Sequence, residues 1–219
     1  MILFIFAHPD DEAYGPAGTI ARLTKTSDVT VVSLCNGERP HSTHVAMERK
    51  QAFIDSCNTL GASHEIYDTP DCALEYDSTL LTIENLIKKY NPSAIYTHSN
   101  TDIHKDHRLV AECCLVAARP KADSLLDQLY FCEMPASTSW SFNQINGSFQ
   151  ASKYVEVDIE IKKHVLGYYT SEIYEFPDAR SIEAVETLAK QRGYQSGFKH
   201  AEAFQLVFSR YRMFGGSQY

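Results

Sequence analysis

Two short stretches of the sequence bring imidazoles and carboxylates together at spacings that suit a metal ion. The first, HPDDE, runs from His8 to Glu12, and the second, HKDH, runs from His104 to His107. A catalytic zinc takes three protein ligands from His, Asp or Glu and leaves a fourth position for water. His8 and Asp11 are three residues apart, as are His104 and His107, so each pair can face one side of its segment. The pattern indicates a catalytic divalent ion with four candidate ligands.

A neighbouring carboxylate could supply the proton acceptor for such a site. A metal-assisted hydrolase needs a base that is not coordinated, because a carboxylate bound to the ion cannot freely accept a proton. Asp10, next to the candidate ligand Asp11, is suitably placed. The alternative for HPDDE is a polar turn in which one Asp caps the next helix, but a cap leaves His8 unexplained. The alternative for HKDH is a solvated helix start with acidic residues near the positive end of the helix dipole.

Other histidines have less specific spacing. His41 and His44 are also three residues apart and follow the second predicted strand. A surface loop without ligands, a contact to substrate and a second metal site are all compatible with this pair. Four further histidines are isolated in the sequence and are interpreted as structural, namely His64, His98, His164 and His200.

Apolar runs of strand length alternate with segments of helical period, which is typical of βα units around a parallel sheet. The predicted strands of the first half are 1–7, 28–35, 64–67, 94–98 and 128–132. The predicted helices between them are 18–25, 45–60, 79–90 and 108–118. The second half is less regular, with a polar loop, a strand, a helix opened by Asp158, a further helix and a closing strand at 201–208. We therefore predict an α/β fold.

The predicted sheet brings the two chemical stretches together. In open parallel sheets, ligands bind beyond the carboxyl ends of the strands, where the strand order reverses. In the commonest strand order of such sheets, the first strand along the chain lies beside the fourth. HPDDE follows the first predicted strand and HSNTDIHKDH follows the fourth, so the two stretches should meet at one crevice.

Bulk properties limit the classes of protein to consider. The chain has 219 residues, 44% hydrophobic and 22% charged, which fits one globular domain covering residues 1–219. A net charge of -8 argues against a nucleic-acid binder, because that affinity comes largely from Lys and Arg. No export signal or membrane anchor is indicated, and six cysteines without a CxxC pair favour reduced thiols in a cytoplasm. The sequence leaves a homo-oligomer open.

Taken together, AHPDDE after a first strand and HKDH about a hundred residues later resemble the PIG-L/LmbE-like family of zinc-dependent de-N-acetylases. Weaker similarity follows in order at CNGER, ERKQAFIDSCNTLGA, TPD and RGYQSG, so the resemblance spans nearly the whole chain. It implies a single-domain, Rossmann-like three-layer sandwich with a mostly parallel central sheet. It also implies a hydrolase that removes the acetyl group from an N-acetylglucosamine-type sugar or its conjugate and requires Zn²⁺ or another divalent ion.

The resemblance also implies roles for individual residues. The implied metal ligands are His8, Asp11 and His107. Asp10 would be the general base, and His104 would stabilise the tetrahedral intermediate or protonate the leaving amine. Asp106 would orient a histidine, as carboxylates behind metal ligands commonly do.

The implied sugar contacts are Arg49, in the second long helix, and Asp71, in the TPD segment. The chain differs from many members at Lys105, where they carry proline, and its later loops follow no pattern that identifies the acetylated sugar. Two other functions are alternatives. A metal-dependent phosphoesterase would favour two ions about 4 Å apart and a bridging carboxylate. A non-catalytic nucleotide-binding module would need a phosphate loop, and GPAG at 15–18 is neither GxGxxG nor GxxxxGK[ST].

Overall fold

The computed structural model describes residues 1–39, 43–121, 124–141 and 147–211, with the backbone alone at residues 43 and 44. The strands are β1 Ile2–Phe6, β2 Val29–Cys35, β3 Ser63–Thr69, β4 Ala94–His98, β5 Gln128–Cys132, β6 Lys153–Glu156 and β7 Ala201–Ser209. The helices are α1 Asp11–Tyr14, α2 Ala17–Leu23, α3 Thr43–Leu60, α4 Tyr76–Tyr90, α5 Lys105–Ala117, α6 Ile159–Leu166 and α7 Ile182–Ser196. Within these ranges, no helix has the length and apolar character that a membrane crossing requires.

The strands form one mixed sheet in the order β3-β2-β1-β4-β5-β7-β6. The first five strands of this order are parallel, and β7 runs antiparallel to both β5 and β6. β1 lies directly beside β4, with Ile2 opposite Ala94 and Ile5 opposite Thr97. The predicted α/β class, the mostly parallel sheet and the pairing of strand one with strand four are confirmed.

Side chains of β1 alternate between two apolar layers, as the two-residue period of a strand requires. Phe4 and Phe6 join the core beneath α1, α2, α3, α6 and α7. Leu3 and Ile5 join the core beneath α4 and α5. Both faces of the central strands are therefore covered, which explains why their sequences are almost continuously apolar.

Helix α5 begins at Lys105, three residues earlier than the predicted start at Arg108. His104 is the reason, because its ring Nδ1 accepts a hydrogen bond from the backbone N–H of Asp106 at 3.2 Å and so caps the helix. Imidazole is not among the usual capping groups, so the sequence pattern predicts a later start for this helix. The earlier start places Asp106 and His107 on the first helical turn, behind the carboxyl end of β4.

The segment that follows HPDDE is fixed by a carboxylate from the far end of the chain. Glu202 accepts hydrogen bonds from the backbone N–H groups of Gly18, at 2.9 Å, and Thr19, at 2.8 Å. Lys162 donates to the same carboxylate at 2.9 Å and also to the carbonyl oxygen of Gly15. The two charged side chains are 6% and 4% exposed. Buried charges are tolerated only when paired and hydrogen-bonded, and this pair meets both conditions.

We expect Glu202→Ala to lower the free energy of unfolding by about 3–5 kcal/mol, because it leaves the Lys162 ammonium buried without its partner. Denaturant unfolding followed by circular dichroism measures the change. Glu160→Ala is the matched control, since it removes a 74% exposed carboxylate paired with Lys163 and should change stability little. Equal effects of the two substitutions would contradict a stabilising role for the buried pair.

Candidate metal centre and active site

The two stretches of chemical residues meet at the carboxyl ends of β1 and β4. His8 and Asp11 follow β1, and His107 lies on the first turn of α5, after β4. All three side chains are buried, each residue being 5% exposed. The crevice that the sheet order predicts is therefore present, and both stretches contribute to it.

Three potential metal donors converge in this crevice. His8 Nδ1 lies 3.2 Å from His107 Nε2, which lies 3.3 Å from Asp11 Oδ1. His8 Nδ1 lies 3.6 Å from Oδ2, the other oxygen of the Asp11 carboxylate. A tetrahedral ion with bonds of about 2.0–2.1 Å separates its ligand atoms by about 3.3 Å. The spacing and the mixed nitrogen and oxygen donors thus fit a zinc-like ion.

Carboxylates behind both imidazoles orient the donor nitrogens. His8 Nε2 lies 3.1 Å from Asp106 Oδ2, and His107 Nδ1 lies 3.1 Å from Asp102 Oδ2. If these far nitrogens carry the ring protons, the near nitrogens present lone pairs to a metal. Asp11 is fixed as well, because its Oδ2 accepts the backbone N–H of His8 at 2.8 Å.

The electrostatics of the centre favour a positive charge among the three donors. Burial lowers the pKa of His8, but hydrogen bonds to Asp106 and Asp11 raise it overall to about 9. Burial likewise lowers the pKa of His107, but the Asp11 charge and Asp102 raise it to about 10. Burial raises the pKa of Asp11, yet the neighbouring His107 and His98 hold it well below its usual range. Asp11 is therefore an ionised donor, and a cation beside it is stabilised.

Asp102 belongs to the site, although sequence reasoning assigned it no role. It is 1% exposed, and its Oδ2 accepts hydrogen bonds from the hydroxyls of Ser137 at 2.7 Å and Thr138 at 2.9 Å. Its Oδ1 accepts the backbone N–H of His104 at 2.8 Å. Asp102 therefore ties the HKDH stretch and the loop after β5 to the imidazole of His107. The sequence signal for this role is the position of Asp102 in TDIHKDH, two residues before the first histidine.

We expect Asp102→Asn to weaken metal affinity by about 10–100-fold without removing a ligand, because it replaces the anion that orients His107. Titration with a competing chelator measures this change. Asp55→Asn is the control, since Asp55 contacts Gln51 on the exposed surface of α3. If Asp102→Asn binds the metal as tightly as the wild type does, the Asp102 carboxylate does not influence His107 as a metal donor.

His98 also lies in the site, although the sequence treated it as an isolated structural residue. Its ring stacks on that of His107 with centroids 3.8 Å apart, and its Nε2 lies 3.3 Å from Asp11 Oδ2. The donor atoms of Asp11, His98 and His107 are close enough to form an alternative metal group. However, His98 Nε2 accepts the backbone N–H of Ala7 at 2.9 Å, so its lone pair is already used. This contact favours a packing role for His98.

His104 faces the cavity beside the donors. Its ring meets that of His8 edge-on at 4.7 Å between centroids, and its donor atoms also approach those of His8 and His107. Because Nδ1 accepts from the helix backbone, the ring proton belongs on Nε2. Burial and the neighbouring His107 lower the pKa of His104 to about 4, so the ring is neutral at pH 7. His104 therefore presents a neutral Nε2–H donor close to the metal donors.

Asp10 has an unusual backbone conformation. Its φ of 119° with ψ of -23° lies in a region that non-glycine residues rarely adopt and that is most often found at functional sites. The fully buried Glu12 accepts the Asp10 backbone N–H at 3.2 Å and the hydroxyl of Tyr169 at 2.5 Å. Glu12 therefore braces the loop through these two hydrogen bonds.

The carboxylate of Asp10 lies against two guanidinium groups. Arg49 donates to its Oδ2 at 3.3 Å and Arg180 donates to the same atom at 2.8 Å. Burial raises the pKa of Asp10, and the two arginines oppose that rise. A carboxylate with a raised pKa, held at one oxygen, is suited to accept a proton at the other.

The two predicted sugar contacts lie at the cavity and contact each other. Arg49 donates to Asp71 Oδ2 at 2.6 Å, and it also donates to the carbonyl oxygens of Gly37 and Pro9, both at 3.0 Å. Arg49 is 2% exposed and Asp71 is 9% exposed. Most donors of Arg49 are therefore engaged by the protein, so its clearest structural effect is to hold Asp10 and Asp71 in place.

The cavity beside these groups has a volume of about 460 Å³, which is within the usual range for a small-molecule site. Its wall includes Met134, Pro135 and Ala136 from the loop after β5, together with Tyr14 and the charged residues above. The same wall contains Arg39 and Arg180, to which the sequence assigned no role. Arg39 ends the CNGER segment and Arg180 lies in a loop whose sequence carries no motif. His41 lies outside the described residues, as does the side chain of His44.

Comparison with known proteins relates this geometry to a family. The family model described as GlcNAc-PI de-N-acetylase matches residues 3–118. The probable N-acetyl-alpha-D-glucosaminyl L-malate deacetylase 2 of Bacillus cereus is 29% identical over 143 residues, which are 56% of this chain. The same alignment covers 63% of the Bacillus cereus protein, so it spans less than two thirds of that relative.

Solved structures share the fold at lower sequence identity. The N,N'-diacetylchitobiose deacetylase of Pyrococcus horikoshii is 17% identical with a TM-score of 0.76, covering 94% of this chain and 83% of its own. The 4-carboxy-2-hydroxymuconate hydratase of Pseudomonas putida is 20% identical with a TM-score of 0.75, covering 98% and 99%. The fold thus occurs in proteins named for different reactions. The family match extends over more than half of the sequence, and the chain belongs to the GlcNAc-PI de-N-acetylase (PIG-L) family.

Proposed function

We propose that the protein is a zinc-dependent hydrolase that removes the N-acetyl group from an N-acetylglucosamine-type amino sugar or its conjugate. The observation that carries the proposal is the triangle of His8, Asp11 and His107 donors beside the buried carboxylate of Asp10, opening on one cavity. Membership of a de-N-acetylase family supports the same reaction. The Bacillus cereus relative is named for an acetylated glucosaminyl substrate, which supports the substrate class.

In this proposal His8, Asp11 and His107 hold the ion, which when bound would polarise the acetamide carbonyl and lower the pKa of a water molecule. Asp10 accepts a proton as that water adds to the carbonyl carbon, because its pKa is raised by burial. The neutral N–H of His104 donates to the developing oxyanion, a contribution whose loss typically costs about 10²–10³ in rate. The carbon–nitrogen bond then breaks, Asp10 returns the proton to the leaving nitrogen, and acetate and the free amine depart.

A panel of N-acetylglucosaminides tests the reaction. Purified protein supplied with zinc should release equal amounts of acetate and primary amine from at least one member, and chelation should stop the release. No release from free sugar, glycosides or conjugates would reject the proposal. Addition of water to an unsaturated acid should also be assayed, because the fold is shared with a hydratase.

Metal counting separates the proposal from a phosphoesterase, which would favour two ions per chain. One zinc per chain is the expected result. A nucleotide-binding module would instead bind nucleotide tightly without any metal, and that result would also reject the hydrolase. The proposal also includes a single domain over residues 1–219, a cytoplasmic location and a possible homo-oligomer.

A further inference from the structure

The carboxylate of Asp10 is held at one of its two oxygens. Arg180 donates to Oδ2 at 2.8 Å, and Arg49 donates to the same atom at 3.3 Å. Asp10 lines the cavity, so its other oxygen, Oδ1, is the one available to a reacting water molecule. The direction in which Oδ1 points depends on how the two arginines hold Oδ2.

A single nitrogen of Arg180 joins Asp10 to a second carboxylate. Arg180 Nη2 donates to Asp10 Oδ2 and to Glu172 Oε2, each at 2.8 Å. A terminal guanidinium nitrogen carries two hydrogens in a fixed plane, so each carboxylate can accept one of them. The position of Glu172 therefore determines the direction from which Arg180 meets Asp10.

Glu172 is buried and is held from several sides. It is 0% exposed, its Oε2 also accepts from Arg39 at 2.7 Å, and its Oε1 lies 3.6 Å from Nε of Arg49. Burial raises the pKa of Glu172, but the neighbouring guanidinium groups hold it below its usual range, so Glu172 is an anion at pH 7. The hydroxyl of Tyr14, on α1, lies 2.8 Å from the backbone carbonyl oxygen of Glu172. Glu172 is thus a fixed point beside the more exposed Arg180.

The charges around Glu172 balance. Three guanidinium groups and three carboxylates form one group of ion pairs, namely Arg39, Arg49, Arg180, Asp10, Asp71 and Glu172. Without the charge of Glu172, one guanidinium group would lack an anion, and its free N–H donors would turn to the two carboxylates that remain. Asp10 would then be bound at both oxygens or turned away from the cavity. Glu172 therefore keeps Oδ1 of Asp10 available.

We propose that Glu172 is a positioning residue for the general base Asp10 and acts through Arg180. The proposal rests on the proposed deacetylase function, in which Asp10 accepts a proton, and it adds a residue that does not line the cavity. Displacing a catalytic group by about 1 Å can cost about 10²-fold in rate, so a carboxylate behind the cavity wall can control turnover.

Glu172→Gln keeps the size of the side chain and removes its charge. We expect kcat to fall about 10–100-fold with KM within about threefold of the wild type, because the base is misdirected while the other contacts to substrate remain. The variant should retain one zinc ion per chain. Glu175→Gln is the matched control, since Glu175 is an exposed carboxylate in the same segment and should leave kcat as in the wild type.

Arg180 variants test the path from Glu172 to Asp10. Arg180→Gln should lower kcat to a similar extent, and adding Glu172→Gln to it should lower kcat no further, because both residues act along one path. Arg180→Lys keeps the charge but loses the planar fork, so it should retain part of kcat. Additive losses in the double variant would contradict action through Arg180.

The same substitution in the Asp10→Asn background separates positioning from a general structural role. A positioning residue acts only while the base is present, so Glu172→Gln should change the residual turnover of Asp10→Asn by less than about twofold. An equal fall of turnover in both backgrounds would show that Glu172 supports the fold rather than the base, and it would overturn the proposal.

Crystal structures of the zinc-loaded wild type and of Glu172→Gln provide a test that does not depend on turnover. The Asp10 carboxylate should be rotated in the variant or bound by arginine at both oxygens. An unchanged Asp10 carboxylate, or a kcat within about threefold of the wild type, would overturn the positioning role and leave the deacetylase function intact. If the wild type turns over no N-acetylglucosaminide, the deacetylase function fails, whereas a displaced Asp10 carboxylate still supports its positioning by Glu172. If Glu172→Gln does not fold, Arg180→Gln, at a side chain that is 27% exposed, takes its place in the Asp10→Asn comparison and in the crystal structures.

Discussion

Asp10→Asn is expected to lower kcat by about 10²–10⁴-fold while the protein retains its metal ion. Asparagine has nearly the same size as aspartate and tolerates the positive φ of 119° at this position better than most residues do. The substitution removes the ability to accept a proton and the negative charge that Arg49 and Arg180 contact. Steady-state kinetics on the best substrate of the panel and metal analysis of the same sample provide the two measurements.

Turnover and metal content are expected to respond differently in Asp10→Asn. Asp10 neighbours the metal donors but is not one of the three convergent side chains, so it should be dispensable for metal retention. A metal content near one ion per chain with little turnover is the expected pattern. Turnover within about threefold of the wild type would exclude Asp10 as the general base, since such groups typically contribute far more.

His107→Ala is expected to lose the ion during dialysis and, with it, nearly all turnover. The substitution removes one of three protein donors and leaves Asp102 and Asp11 without the imidazole that lies between them. A site with two donors holds zinc much more weakly than one with three. Metal analysis after dialysis, together with turnover measured in excess zinc, tests this expectation.

His164→Ala is the matched control for this variant. His164 lies on α6 and contacts the hydroxyl of Tyr168 at 3.1 Å, away from the cavity. The His164→Ala variant should keep both its metal ion and its activity. If His107→Ala and Asp10→Asn lost metal to the same extent, the roles assigned to the two residues would be wrong.

Much of this arrangement could be predicted because it depends on local patterns. The apolar runs of β1 and β4 predict buried parallel strands, and the usual strand order predicts that they are neighbours. HPDDE begins two residues after β1 ends, and HKDH begins six residues after β4 ends. The usual strand order of such sheets therefore predicts that His8, Asp11 and His107 lie close together.

The remaining parts of the site depend on contacts that no local pattern encodes. Arg180 and Glu172 lie in an irregular segment between α6 and α7, more than 150 residues from Asp10 and Tyr14. Their sequence neighbourhood contains turn residues and aromatic residues but no recognisable spacing. Asp102 was close to the predicted ligands in sequence, yet its role depends on how the loop after β4 turns back towards His107. Such long-range pairings follow from packing, which single-sequence patterns do not specify.

The carboxylate of Glu202 has a consequence for the order of events during synthesis. It lies on β7, yet it binds the backbone of Gly18 and Thr19 at the start of α2. On the ribosome, the amino-terminal helix must wait for about 180 further residues before this partner emerges. Ribosomes that stall within the second half of the message should therefore hold nascent chains whose first helices still lack this contact and are open to proteases and chaperones.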